Sequence, residues 1–151
     1  MKVHTLNFGD IEVPQDKIVE FKEGLPGFPR IRRVIMLEME ELKPFHCLQS
    51  LDDPPIALYV INPFLADPNY KLTLNDSDMA DISGKNAAEL AVFAVVTIPE
   101  VPREATINLM APIVINDRAR CGKQIILHES GYSVRHPLFE GNRGEAEARG
   151  A

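Results

Sequence analysis

The sequence predicts an all-β fold, a compact antiparallel barrel-like or sandwich-like single domain with one or two short helical turns. Three observations carry that expectation. About nine or ten short apolar runs succeed one another. Twelve prolines and nine glycines interrupt the chain often, which favours short strands over long helices. A hydrophobic content of 45% over 151 residues supplies one continuous core and no second one.

Taken in order, Val3 to Phe8 alternates, Gly9-Asp10 turns, and Ile11 and Val13 resume the pattern, so a hairpin or bent strand is expected. Ile18 to Phe21 is a short strand that ends at the turn-rich GLPGFP. Arg33 to Glu38 follows, then His46 to Leu51, then a turn at Asp52-Asp53-Pro54-Pro55. Ile56 to Ile61 and Ala91 to Ile98 are almost wholly apolar, as strands covered on both faces are. Ile56, Leu58, Val60, Val92, Ala94 and Val96 are therefore expected in the core. Tyr70 to Leu74 alternates, and Asn75 or Asp76 can cap a helical turn through Ile82, closed by Gly84. Three further strands are expected at Thr106 to Met110, Ile113 to Asn116 and Gln124 to His128. Residues 1–139 form the domain. Residues 140–151, with no large apolar side chain after Gly141, are expected to be a disordered tail.

The net charge of −6 is unevenly placed. Glu38 to Asp53 carries a balance of −4 and Asp76 to Glu89 one of −3, leaving +1 for the remainder. Nucleic-acid binding needs a basic face to neutralise phosphates, and Arg30, Arg32 and Arg33 are too few to make one. Acidic segments instead steer basic proteins, or simply keep the surface solvated. Glu38, Glu40, Glu41, Asp52, Asp53, Asp76, Asp78 and Asp81 are the candidate partner-binding residues. Apolar residues flanking strands are the other class of contact candidate.

No catalytic motif is present: there is no GxSxG, HExxH, GxGxxG or phosphate-binding loop. His4, His46, His128 and His136 are dispersed, without metal-ligand spacing. Asp76, Asp78 and Asp81 do not make a calcium loop, because Ala80, Asp81 and Ala87 stand where that loop needs an oxygen ligand, a glycine and a glutamate. His46 and Cys47 are strand neighbours and point to opposite faces. Cys47 and Cys121 read as free buried thiols. No cofactor, metal or membrane span is expected, and the chain is expected to be a cytoplasmic monomer.

Six phrases in register resemble one family. They are FKEGLPGF at Phe21 to Phe28, PFHCLQS at Pro44 to Ser50, the strand ending in Asn62-Pro63, TINLMAPIVIN at Thr106 to Asn116, GKQIIL at Gly122 to Leu127, and YSVRHPL at Tyr132 to Leu138. Together they look like the flagellar assembly factor FliW family, over about Val3 to Leu138. The resemblance implies a barrel-like binding domain without a cofactor and two protein partners. One is flagellin; the other is the RNA-binding translational repressor CsrA, which such proteins antagonise while flagellin competes for them. Within the phrases, Gly24 and Gly27 are expected to serve a turn, with Phe28 in the core. Leu109, Ile113 and Ile115 are expected in the core, and Asn108 and Gln124 to bond backbone. Two rival readings stand beside it: a small-ligand barrel, and a hydrolase assembled from dispersed residues.

Overall fold

A computed structural model describes residues 1–5, 8–25, 27–85, 87–128 and 130–139. The expected tail at 140–151 lies outside the described residues. β1 (Lys2–Thr5) and β2 (Gly9–Glu12) form the N-terminal hairpin. The main sheet contains β3 (Ile18–Glu20), β4 (Arg33–Leu37), β5 (Phe45–Ser50), β6 (Ala57–Ile61), β7 (Leu90–Thr97), β9 (Ile113–Asn116) and β10 (Cys121–Gln124). β3 through β7 follow one another by antiparallel pairing, and β9 returns to pair with β7 and β10. A parallel contact, Cys121 opposite Glu20, joins β10 to β3 and closes a seven-stranded barrel. β8 (Thr106–Ile107) and β11 (His136–Pro137) extend the sheet outward from β7.

β7 organises this closure. One edge meets β6 through Val95 and Ala94, while the other takes β9 along Leu90–Phe93 and β8 at Val96 and Thr97. An eight-residue strand apolar on both faces can serve three partners, because no exposed face dictates polarity.

Alternation sorts the side chains into an inside and two outer layers. Val19, Phe21, Val34, Leu48, Val60, Ile113 and Ile115 fill the barrel. Ile35, Leu37 and Cys47 face outward and are covered by Val3 and Val13 of the hairpin. Ala94, Val96, Val114 and Cys121 face outward on the other side, beneath Tyr70, Ile82 and Leu109. The last layer is pinned by polar bonds: the Tyr70 hydroxyl donates to the Leu109 carbonyl at 2.6 Å, and the Asn116 amide donates to the Ile82 carbonyl at 3.0 Å. Burial pushes the Cys47 thiol up to about 11, so it stays protonated and unreactive at neutral pH.

Several expectations need correction. Val60, Ala94 and Val96 are buried, but Ile56, Leu58 and Val92 are only half-buried. The β6–β7 ladder is two pairs long, so Ile56 and Leu58 lie beyond it; Val92 faces outward under partial cover. Phe28 is 36% exposed rather than tucked into the core. Its backbone pairs with Leu25, which takes the buried position instead. Tyr70, Leu72 and Leu74 do alternate inward but join no ladder. The last barrel strand runs Cys121–Gln124, not Gln124 to His128. Ile125 and Leu127 continue only through single bonds to the carbonyls of Pro112 and Met110.

The local chemistry of the family phrases follows the expectation. Gly24 and Gly27 hold φ of 80° and 76°. Asn108 accepts from the amides of Met110 and Ala111, and Gln124 donates to the Ala111 carbonyl. Asn75 is the cap of α1 (Asp76–Asp81), accepting from the Asp78 amide at 2.7 Å.

Candidate functional site

The acids that are contiguous in sequence separate in space. Glu38, Glu40 and Glu41 sit at the β4–β5 connection, while Asp52 and Asp53 sit at the β5–β6 connection. A six-residue strand lies between them, which puts the two groups ~20 Å apart at opposite ends of β5.

Their states differ as well. Glu41 is exposed in the turn Glu40–Leu42, and Glu40 pairs with Lys43 at 2.9 Å with both side chains largely in solvent. Glu38 comes within 3.8 Å of the His46 ring. Asp52 is a structural group. It accepts from the amides of Arg32 and Arg33 at 2.9 Å each and from the Arg33 guanidinium. Partial burial raises its carboxyl, but these donors outweigh burial and hold it below the usual carboxylate range. The Asp53 amide donates to the Ser50 hydroxyl, leaving its carboxylate exposed.

In α1, Asp76 is exposed, but Asp78 and Asp81 converge on Lys123 at 3.2 and 2.5 Å. The Lys123 side chain is 16% exposed, and the hydrogen bond it donates to Asp81 raises its pKa against the opposing effect of burial. This triad ties α1 to β10 and cancels part of the charge that the sequence places there. Glu38, Glu40, Glu41, Asp53 and Asp76 remain as acids open to a partner.

Two surface concavities complete the site. An apolar groove of about 220 Å³ is lined by Pro44, Phe45, Ile61, Leu65, Leu138 and Phe139. Leu65 is 62% exposed and Phe139 45%, with Phe64 alongside in the same helical turn. The sequence foresees strand-flanking apolars as a class but does not single these out. Their signal is the apolar run Pro63-Phe64-Leu65 placed after a strand has ended. The acidic turn runs directly into Pro44 and Phe45, so negative charge and apolar groove adjoin.

The second concavity, about 660 Å³, takes in the barrel mouth at the other side of that turn and also the hairpin-covered outer face, where Val13, Ile35 and Leu37 line it. Val19, Met36, Phe93 and Ile115 form its floor, and Lys17, Glu38 and Arg120 stand on its rim. No metal-ligating cluster occurs among the described residues, and no described helix is long and apolar enough to cross a membrane.

These features define a small closed-barrel protein whose distinctive chemistry lies in contact surfaces. The FliW protein family model matches residues 2–138. A flagellar assembly factor FliW from Natranaerobius thermophilus is 40% identical over 100% of this chain and 99% of its own. One from Thermosipho africanus is 37% identical over 93% of this chain and 97% of its own. The crystal structure of a flagellar assembly factor FliW superposes with a TM-score of 0.86 at 35% identity, covering 92% of this chain and 97% of that one. The chain belongs to the FliW family.

Proposed function

We propose that this chain is a cytoplasmic regulator of flagellar assembly that binds flagellin and antagonises a CsrA-type translational repressor, so that flagellin level governs flagellin translation. Family membership over residues 2–138 supports assigning flagellar assembly as the process. The single surface observation that carries the mechanism is the adjacency of the acidic turn to the exposed apolar groove.

An amphipathic flagellin segment needs an apolar groove, and Leu65 and Phe139 offer one without rearrangement. A repressor that binds RNA carries basic surface, and Glu38, Glu40 and Glu41 attract it. Neighbouring contact areas make simultaneous occupation by two bulky partners difficult, which yields competition by exclusion. The excess of acid disfavours direct RNA binding.

The test is paired titration calorimetry of wild type, E40K/E41K and L65D against flagellin and against the repressor. L65D is expected to weaken flagellin binding by ~10-fold or more, from loss of a central apolar contact. E40K/E41K is expected to slow repressor association mainly at low salt. Unchanged binding of both partners by both folded variants overturns the assignment.

A further inference from the structure

We propose that the barrel mouth is a binding site for a small, net-neutral amphiphile, an apolar body bearing a carbonyl-type oxygen. This goes beyond the regulatory reading and stands independently of flagellin and repressor binding.

Strand parity is the first ground. The inward-facing rows that fill the barrel read Val34, Met36 on β4, Leu48 on β5, and Ile113, Ile115 on β9. Extended by one step toward the same end, they become Glu38, His46 and Asp117, and Val19 of β3 is preceded in its row by Lys17. The interior therefore changes from apolar to titratable within one residue pair on the three neighbouring strands β3, β4 and β5, and again on β9, across β10 from them. On β7 the residue opposite Ile115 is Ala91, whose small side chain leaves space beside Phe93. At about 660 Å³ the concavity falls within the size range of small-molecule sites.

Buried nitrogens without hydrogen-bond partners are the second ground. Among the described residues, the buried side-chain nitrogens without a hydrogen-bond partner are His46 Nδ1 and Arg120 Nε. Both belong to this end of the barrel. The His46 ring packs edge-on against Phe93 with centroids 5.6 Å apart, and Arg120 lines the cavity. The Arg120 Nε–H can only donate and so calls for an oxygen acceptor, while His46 Nδ1 has the Glu38 carboxylate 3.8 Å away, beyond hydrogen-bond reach. The Arg120 guanidinium is held meanwhile by Asp117 and the Lys17 carbonyl, on a backbone at φ 56°. Its Nε–H is thereby oriented by bonds made elsewhere, as a binding group needs to be.

Charge sets the ligand class. Arg120 is matched by Asp117, and Glu12 by the N-terminal ammonium, so Lys17 and Glu38 face the cavity with opposite signs. Such a rim favours neither an anion nor a cation. An amide, ester or alcohol oxygen accepts from the Arg120 Nε–H at no charge cost.

The experiment is two-dimensional NMR titration of the isotopically labelled protein with decanamide, decanoate and decylamine. Decanamide is expected to give saturable shifts centred on Val19, Phe93 and Ile115, and the two charged analogues weaker ones. A91W, which fills the mouth, is expected to abolish the shifts. R120K, which keeps the charge and removes the Nε donor, should weaken binding by about 5-fold. Peak dispersion reports whether A91W folds, and M36W provides a second occlusion should it not. No saturable shift below the solubility limit of decanamide, shifts confined to the Leu65–Phe139 groove, a charged analogue bound as tightly, or a folded occluded variant that still binds each overturns the proposal.

Discussion

At the scale of single residues, charge placement is less informative than charge partnership. Asp52 and Asp53 are adjacent in sequence, yet one anchors two backbone amides and an arginine while the other faces solvent. Sequence spacing gives no warning of that split, because Arg32 and Arg33 reach Asp52 only through the antiparallel pairing of β4 with β5. D52A should destabilise the fold by ~1–2 kcal/mol, read by urea denaturation at neutral pH. The pH dependence has a definite sign. A carboxyl depressed on folding contributes fully above the ordinary aspartate value of ~3.9, and that contribution is lost as pH falls through the lower folded value. D52A should therefore lose less stability than wild type as the solution is acidified through that window. Lys123 behaves in the opposite sense. Its raised pKa stabilises the fold below the ordinary lysine value of ~10.4 and ceases to as pH rises through the folded value. K123M, which strands Asp78 and Asp81, should cost about 1–3 kcal/mol near neutral pH.

The elements of the fold were legible where the sequence pattern has one physical cause. Short apolar runs between turn residues placed β4, β5 and β9 to within a residue, alternation from Val3 found β1 but not its end at Thr5, and Asn75 announced α1 by its capping chemistry. The pattern misled where one cause was mistaken for another. Tyr70–Leu74 alternates because it is extended over the outer core, with the Lys71 amide bound to the Tyr132 hydroxyl rather than to a strand. The seam of the barrel was not legible at all. It depends on Gly122, where a Cβ would lie 2.6 Å from the ring of Phe21. In sequence that glycine is only the first residue of the GKQIIL phrase, whereas its role is to let β10 close on the packed Phe21 ring. G122A should cost ~1–3 kcal/mol by overpacking, measured as a lowered thermal midpoint, with the loss partly relieved in G122A/F21L. G24A should be worse tolerated. It combines φ of 80° with an added Cβ within 2.7 Å of the Pro29 backbone, which cannot rotate away.

For the whole molecule, the candidate acids were legible as a list and not as a surface. Three of the eight are committed to the fold, Asp52 to β4 and Asp78 and Asp81 to Lys123, which leaves the negative potential centred on the β4–β5 turn. Reversing Asp78 and Asp81 would test the stability of α1 as much as partner binding. Reversing Glu40 and Glu41 changes surface charge while sparing every core contact. On the proposed function, flagellin is held by the apolar groove beside that turn and the repressor by its charge, so the two partners should respond differently to ionic strength. Repressor association should slow several-fold between low and physiological salt, and flagellin affinity should change little. The central claim, a protein that relieves translational repression until flagellin occupies it, is tested most directly by gel mobility of the repressor bound to flagellin leader RNA. Added alone to the RNA, the protein should produce no shifted band. Added to the repressor–RNA complex it should release the RNA, and flagellin in excess should restore the complex. A salt-sensitive band with RNA alone, or a repressor–RNA complex that persists at saturating protein, contradicts the account.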